Sequence, residues 1–200
     1  MPDKQTISVY DSQVEDYADF ISKASGDNDI LLRFIERLKR DDLILDLGCG
    51  PAHDSAVMRQ RGLKVDPVDA SIEMVKFANK TFDIGARQAL FLDIKEQNVY
   101  AAVWANFSLL HAPIDDFANI LAAINTALKP SGVFHMAMKI AAGSDSHRDK
   151  LGRLYSYYSQ DELCDHLVRA GFIVEDITLG EDLGMAGKVE PWIALLSRVE

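Results

Sequence analysis

The sequence predicts an α/β fold: a seven-stranded, mostly parallel sheet with an antiparallel last strand, helices on both faces, and a helical cap at the N-terminus. Three observations point there. The apolar run Leu43-Ile44-Leu45-Asp46-Leu47 stops at the glycine turn Gly48-Cys49-Gly50-Pro51 and passes into a helical stretch from Asp54, the order of a βα unit. Short apolar strands then alternate with stretches of helical period as far as Ala170. Beyond Gly171, the strand-like runs 172–177 and 192–197 follow one another with no crossover helix, so they pair antiparallel.

With 200 residues, 48% of them hydrophobic, the chain suffices for one buried core. One domain is expected, with residues 1–40 as the cap and 41–200 as the sheet core. No stretch approaches the roughly 20 apolar residues of a membrane span, and Met1-Pro2-Asp3-Lys4 lacks the charged-then-apolar layout of a secretory signal. A cytoplasmic protein without a membrane partner is expected. The formal net charge of −10 argues against a nucleic-acid partner, which needs clustered Lys and Arg, and favours a small-molecule substrate. Cys49 and Cys164 have no metal-ligand companions at a suitable spacing, so reduced thiols and no metal are expected. Monomer and homodimer remain equally open.

Taken in order, residues 7–40 read as two amphipathic helices, 12–25 and 29–40, broken at Gly26-Asp27-Asn28. Ile30, Leu31, Phe34, Ile35 and Leu38 form a stripe that packs on the sheet. At the glycine turn the backbone can approach a ligand closely, and the following helix start offers free N–H donors. Asp46 would repel a pyrophosphate there but suit a ligand with an ammonium group, and His53 stands where a dinucleotide fingerprint carries its third glycine. Asp46-Leu47-Gly48-Cys49-Gly50 resembles the glycine motif of class I S-adenosylmethionine-dependent methyltransferases. The resemblance covers about residues 41–198 and implies a Rossmann-like core and S-adenosylmethionine as cofactor, its methionine end at Asp46, Gly48 and Gly50 with Cys49 as a small residue within the turn.

A helix from Asp54 to Gln60 ends at Gly62, and the strand 63–68 runs to Asp69-Ala70-Ser71. Asp69 lies about twenty residues beyond Gly48, the spacing at which a strand-end carboxylate receives ribose hydroxyls. Ser71 caps the helix from Ile72, on which Met74 either touches the adenosine or packs in the core. The strand 88–92 delivers Asp93 and Ile94, which the resemblance assigns to the adenine. The strand 100–105 leads to Asn106, bordering the transferred methyl, and Phe107-Ser108-Leu109-Leu110-His111-Ala112-Pro113 resembles a Ser-Leu-Leu-His-x-Pro segment of one bacterial subgroup of the family. His111 is a candidate general base or substrate orienter, or a structural histidine.

A helix 115–128 stops at Lys129-Pro130-Ser131-Gly132, similar to the family's Lys-Pro-Gly-Gly turn. In the strand 133–139, His135 and Lys139 share a face. Lys139, at the carboxyl end, is the second catalytic candidate, and His135 reads as a packed residue. The stretch 141–148 reads as a mobile loop at the mouth of the site. Arg153 could grip an anionic acceptor, with Tyr155 or Tyr158 as a wall, and Tyr10 and Tyr17 of the cap either line the pocket or pack in the core. The capping box Ser159-Gln160-Asp161-Glu162 opens a helix to Ala170. The resulting expectation is methyl transfer to a small acceptor. Its competitors are an NAD(P)-dependent oxidoreductase, disfavoured by Asp46 and the missing glycine, and a noncatalytic S-adenosylmethionine-binding module.

Overall fold

The computed structural model describes residues 2–24, 29–185 and 187–200. The break read at Gly26-Asp27-Asn28, the helix end at Ser25 and the first residue of the N-terminal reading, Met1, lie outside them. Seven strands form one sheet: β1 (Leu43–Leu47), β2 (Lys64–Asp69), β3 (Arg87–Gln88), β4 (Tyr100–Asn106), β5 (Leu128–Lys139), β8 (Phe172–Leu183) and β9 (Val189–Val199), in the order β3-β2-β1-β4-β5-β9-β8. A separate antiparallel hairpin joins β6 (Asp145–Arg148) to β7 (Leu154–Tyr157). β9 runs antiparallel to both β5 and β8, as the missing crossover helix requires. The reversed last strand therefore sits one place in from the edge.

The helices are α1 (Lys4–Ser12), α2 (Val14–Ala24), α3 (Asp29–Ile35), α4 (His53–Gln60), α5 (Ile72–Phe82), α6 (Ile114–Ala127) and α7 (Gln160–Arg169). Alternation along the strands divides the core in two. Leu45, Leu47, Val103, Phe134 and Met136 face Phe117, Ile120 and Leu121 of α6 and Leu163 and Leu167 of α7. Ile44, Ala102, Trp104 and Val133 face the other way, onto Leu31 and Phe34 of α3 and Met58 of α4. On this second face one rung of the sheet reads Asp46, Trp104, His135 across β1, β4 and β5. His135 is the packed residue expected, its ring stacked 3.7 Å from that of Trp104.

Five local readings are corrected. The cap begins with a helix, α1, where none was read: the Asp3 carboxylate accepts the Thr6 N–H at 2.7 Å, and the buried Thr6 hydroxyl accepts the Leu154 N–H at 2.8 Å. Such a polar segment has little apolar periodicity, and a contact 148 residues away fixes it. α3 ends at Ile35 and not at Arg40, because the N–H groups of Arg37 and Leu38 turn to the carbonyls three residues back and Asp42 captures the Lys39 N–H. The strand read over 88–92 is two residues long, since the Asp93 carboxylate takes the Leu90 N–H at 2.9 Å and winds 91–93 into a 3₁₀ turn. The Lys129-Pro130-Ser131-Gly132 turn is absorbed as an irregularity within β5, whose register against β4 jumps from Tyr100↔Leu128 to Ala102↔Val133. The second half of the loop read over 141–148 is strand β6, held in register by β7 from Asp145↔Tyr157 to Arg148↔Leu154.

Candidate active site

The carboxyl ends of β1, β2 and β4, with α1 and α2 over them, line a cleft that opens to solvent. At its floor lies the glycine turn. Gly48 and Gly50 take φ of +80° and +51°, and the N–H groups of Gly48 and Cys49 donate to the Val68 carbonyl. A Cβ on Gly48 would stand 2.3 Å from Cβ of Ser108, so only glycine fits. Ser108 itself donates to the Leu47 carbonyl at 2.5 Å.

Three carboxylates surround this turn, Asp46 buried and Asp54 and Asp69 half-buried. Asp46 accepts the Ser55 hydroxyl at 2.5 Å, and burial, with Asp54 and Asp69 nearby, pushes its carboxyl up to about 8. Asp54 accepts Trp104 Nε1–H at 2.9 Å and Asn106 Nδ2–H at 3.3 Å. Asp69 accepts the N–H of Gly50 on one oxygen and that of Ser71 on the other, both at 2.8 Å. Burial raises the pKa of Asp54 and Asp69 as well. Among the described residues no Lys or Arg pairs with any of the three. Ser71 caps α5 by accepting the Met74 N–H at 3.1 Å, and its hydroxyl donates to Asp11 at 2.6 Å.

At the other end the side chains form a chain of hydrogen bonds. His111 Nδ1–H donates to the Leu154 carbonyl at 2.6 Å, which leaves Nε2 to accept the Tyr10 hydroxyl at 2.7 Å. The Tyr10 oxygen in turn accepts from Arg153 at 3.1 Å, and Arg153 grips Asp149 through Nε at 2.9 Å and Nη2 at 2.7 Å. Burial holds His111 down at about 4 and pushes Tyr10 up to about 12. Both are therefore neutral near pH 7.

Of the residues singled out in the sequence, Gly48, Gly50, Asp69, Ala70, Ser71, Met74, Asn106, His111, Tyr10 and Tyr17 line the cleft together. Asp46 lies beneath the turn, and the Cys49 thiol, kept protonated by burial, donates to the Gly50 carbonyl at 3.6 Å.

Five residues are placed elsewhere, each for a local reason. Asp93 is exposed and folded back on Leu90, while Ile94 is buried in the core, so Leu90 and Phe91 line the cleft in their stead. Lys139 pairs with Glu190 over the Tyr155 ring. Arg153 stands behind Tyr10 with its guanidinium on Asp149 and between the rings of Tyr10 and Tyr155. Tyr158 is fully buried between Phe117 and His166. Sequence reasoning missed Ser55, Ser108, Phe107 and the α1 face of Thr6 and Ile7. Only Ser108, inside the quoted Ser-Leu-Leu-His segment, carried a signal.

The family model described as a methyltransferase domain matches residues 10–177. An uncharacterized methyltransferase of Staphylococcus carnosus is 19% identical over 197 residues, 90% of this chain and 94% of that one. The malonyl-(acyl-carrier protein) O-methyltransferase of Methylovorus sp. is 27% identical over 166 residues, 70% of this chain and 54% of that one, so the chain spans about half that relative's length. Among solved structures, the Burkholderia thailandensis 1,6-didemethyltoxoflavin-N1-methyltransferase, with 1,6-didemethyltoxoflavin and S-adenosylhomocysteine bound, superposes with a TM-score of 0.80 at 20% identity, over 98% of this chain and 87% of that one. That likeness shows a shared fold. With the match to the domain model over most of its length, the chain belongs to the methyltransferase domain family and is a class I, S-adenosylmethionine-dependent methyltransferase.

Proposed function

We propose that the chain methylates a small molecule, with S-adenosylmethionine lying along the cleft from the glycine turn toward Tyr10 and His111. The observation that carries the reading is the set of carboxylates at the turn without a cation. Asp46 has one hydroxyl partner, and an ammonium group would supply what it lacks. The donor set fits the rest of the ligand too. A carboxylate has about four acceptor sites, and Asp69 uses two on Gly50 and Ser71, leaving two for ribose hydroxyls. Leu90, Phe91 and Met74 supply apolar wall for the adenine, and Asn106 borders the methyl.

When bound, S-adenosylmethionine supplies a methyl group already activated on sulfur. The chain's own task is alignment and exclusion of water, which α1 performs by closing over the cleft. Where the acceptor nucleophile carries a proton, Tyr10 can take it at its oxygen while passing its own to His111 Nε2. His111, neutral and fixed by the Leu154 carbonyl, is the final base. Lys139 has no part, being tied to Glu190.

The enzyme that binds 1,6-didemethyltoxoflavin supports an acceptor of modest size, and the net charge of −10 speaks against nucleic acid. We further infer one working domain, cytoplasmic, monomeric or homodimeric. Among the described residues no helix is long and apolar enough to cross a membrane. Calorimetry tests the reading: S-adenosylmethionine and S-adenosylhomocysteine should bind, and Asp46→Asn or Asp69→Ala should weaken binding by about tenfold or more, beyond the roughly 1 kcal/mol of one ordinary hydrogen bond. Thermal stabilisation by NADH or NADPH, with none by the methyl donor, would overturn it.

A further inference from the structure

We propose that the acceptor is an uncharged, mainly apolar molecule of aromatic size, and that the site rejects anions; this rests on the reading that the glycine-turn end holds the methyl donor. Two features of the acceptor end carry it: among the described residues Arg148, Arg153 and Lys139 are already engaged, and the wall is apolar.

Arg148, Arg153 and Lys139 approach this end, and each is held by a carboxylate, that of Glu190 being shared between Lys139 and Lys188. Arg153 holds Asp149 through two bonds and donates to Tyr10. Arg148 holds Asp3 through two bonds, at 3.0 and 2.6 Å. Lys139 holds Glu190. Among the described residues lining the cleft none is Lys or Arg, and Asp69, with no cation beside it, would repel an anion. His111 offers no positive charge, since its Nε2 already accepts from Tyr10. A carboxylate or phosphate brought here would leave water and find no partner. A cationic acceptor fares little better, because Asp3 is already paired with Arg148 and the two sites that Gly50 and Ser71 leave on Asp69 are taken by the ribose of the donor.

The wall is formed by Ile7, Phe107, Pro113 and Pro2, with the faces of Tyr10 and Tyr17. Phe107 is the telling member. It takes a φ of +52°, a left-handed conformation that a bulky residue adopts only under constraint. Its N–H on the Ala137 carbonyl at 3.0 Å and its ring edge-on to Trp192 hold it there. A strained aromatic kept at the cleft, where glycine would relieve the strain, points to its ring as a contact surface for a flat apolar partner.

The test uses protein saturated with S-adenosylhomocysteine and three probes on one carbon frame: 2-naphthol, 2-naphthoate and 2-naphthylmethylammonium. By calorimetry near neutral pH, 2-naphthol should bind at least about tenfold more tightly than either ion. Ile7→Arg should raise 2-naphthoate affinity by about tenfold while leaving S-adenosylhomocysteine affinity unchanged. The wild-type comparison stands even if that variant fails to fold. Binding of 2-naphthoate or the ammonium probe as tight as that of 2-naphthol, or no binding of any probe to the loaded protein, overturns the proposal alone. Failure of S-adenosylhomocysteine to load, seen in the first titration, overturns the donor reading and this proposal with it.

Discussion

At the glycine-turn end of the cleft, the carboxylates come from β1, β2 and the helix start behind them, and much of their bonding is short in sequence: Asp46 and Ser55 lie nine residues apart, Asp69 and Ser71 two, while Trp104 and Ser108 reach in from β4 and the turn after it. At the acceptor end Tyr10 meets His111 across 101 residues and Arg153 across 143. The first end is backbone geometry, glycine φ angles and N–H groups donated to a strand-end carboxylate. The second is a chain of side-chain hydrogen bonds among buried groups. They should fail in different ways, the first through steric clash and the second through unsatisfied polar atoms.

The largest expected effect is at the turn. Gly48→Ala forces a left-handed φ on a residue whose Cβ overlaps Ser108, and should cost about 4 kcal/mol in urea unfolding and abolish cofactor binding. Gly85 has a similar φ of +75° but open space around it, so Gly85→Ala should cost about 1 kcal/mol and leave binding intact. Equal costs would show that strain, and not the Ser108 contact, governs the turn.

Acidity separates the ends by sign. His111 is held at about 4 against an ordinary 6.5, so the unfolded chain binds its proton more readily. Stability present above 6.5 is lost as pH falls through about 4, on the order of 3 kcal/mol. Asp46 is raised from 3.8 to about 8, so its folded form binds the proton more readily, and its contribution, present below 3.8, is lost as pH rises through about 8. Between about pH 4 and 6.5 the two slopes oppose one another and nearly cancel, so urea midpoints should stay level there and fall as pH rises from about 6.5 to 8. His111→Gln should extend the fall down to about pH 4, Asp46→Asn should abolish it and uncover a loss on the acid side, and S-adenosylmethionine should restore stability on the alkaline side.

Tyr10→Phe sharpens the comparison from the acceptor end. It strips a partner from His111 and from Arg153, and should cost about 2 kcal/mol while changing S-adenosylhomocysteine affinity by less than about twofold. A large loss of affinity would mean that the two ends are one unit. The smallest effect is expected for Ser71→Ala, which removes a helix cap and the bond to Asp11, about 1 kcal/mol by thermal or urea unfolding.

The misread elements have a common cause. Asp93 has the right position after a strand, but its carboxylate closes its own turn on Leu90, a competition between side chain and backbone that the letters Phe-Leu-Asp do not reveal. Lys139 is a candidate as a basic residue at the carboxyl end of a strand, and Arg153 as a fork that could grip an anion beside Tyr155 or Tyr158. Their partners Asp149 and Glu190 were unremarkable in sequence, and only folding brings Glu190 across β9 to Lys139. Tyr158 sits one residue past β7, where it fills the core between α6 and α7. By contrast Ser71 and the Ser159–Glu162 box were legible as caps, because a cap is satisfied within three residues.

By itself the sequence determined the strand–glycine–helix turn with Asp46 beneath it, the Asp69-Ala70-Ser71 strand end, and the reversal of the last strand. These depend on local backbone angles, hydrophobic period and connection length, all of which are written in consecutive residues. Tertiary structure alone decided that Tyr10 stands between His111 and Arg153, that Arg148, Arg153 and Lys139 are each engaged by a carboxylate, and that Phe107 is held in a left-handed conformation at the cleft. Those outcomes are choices among many possible partners far apart in the chain, settled by which groups the packed sheet and helices leave within hydrogen-bonding reach.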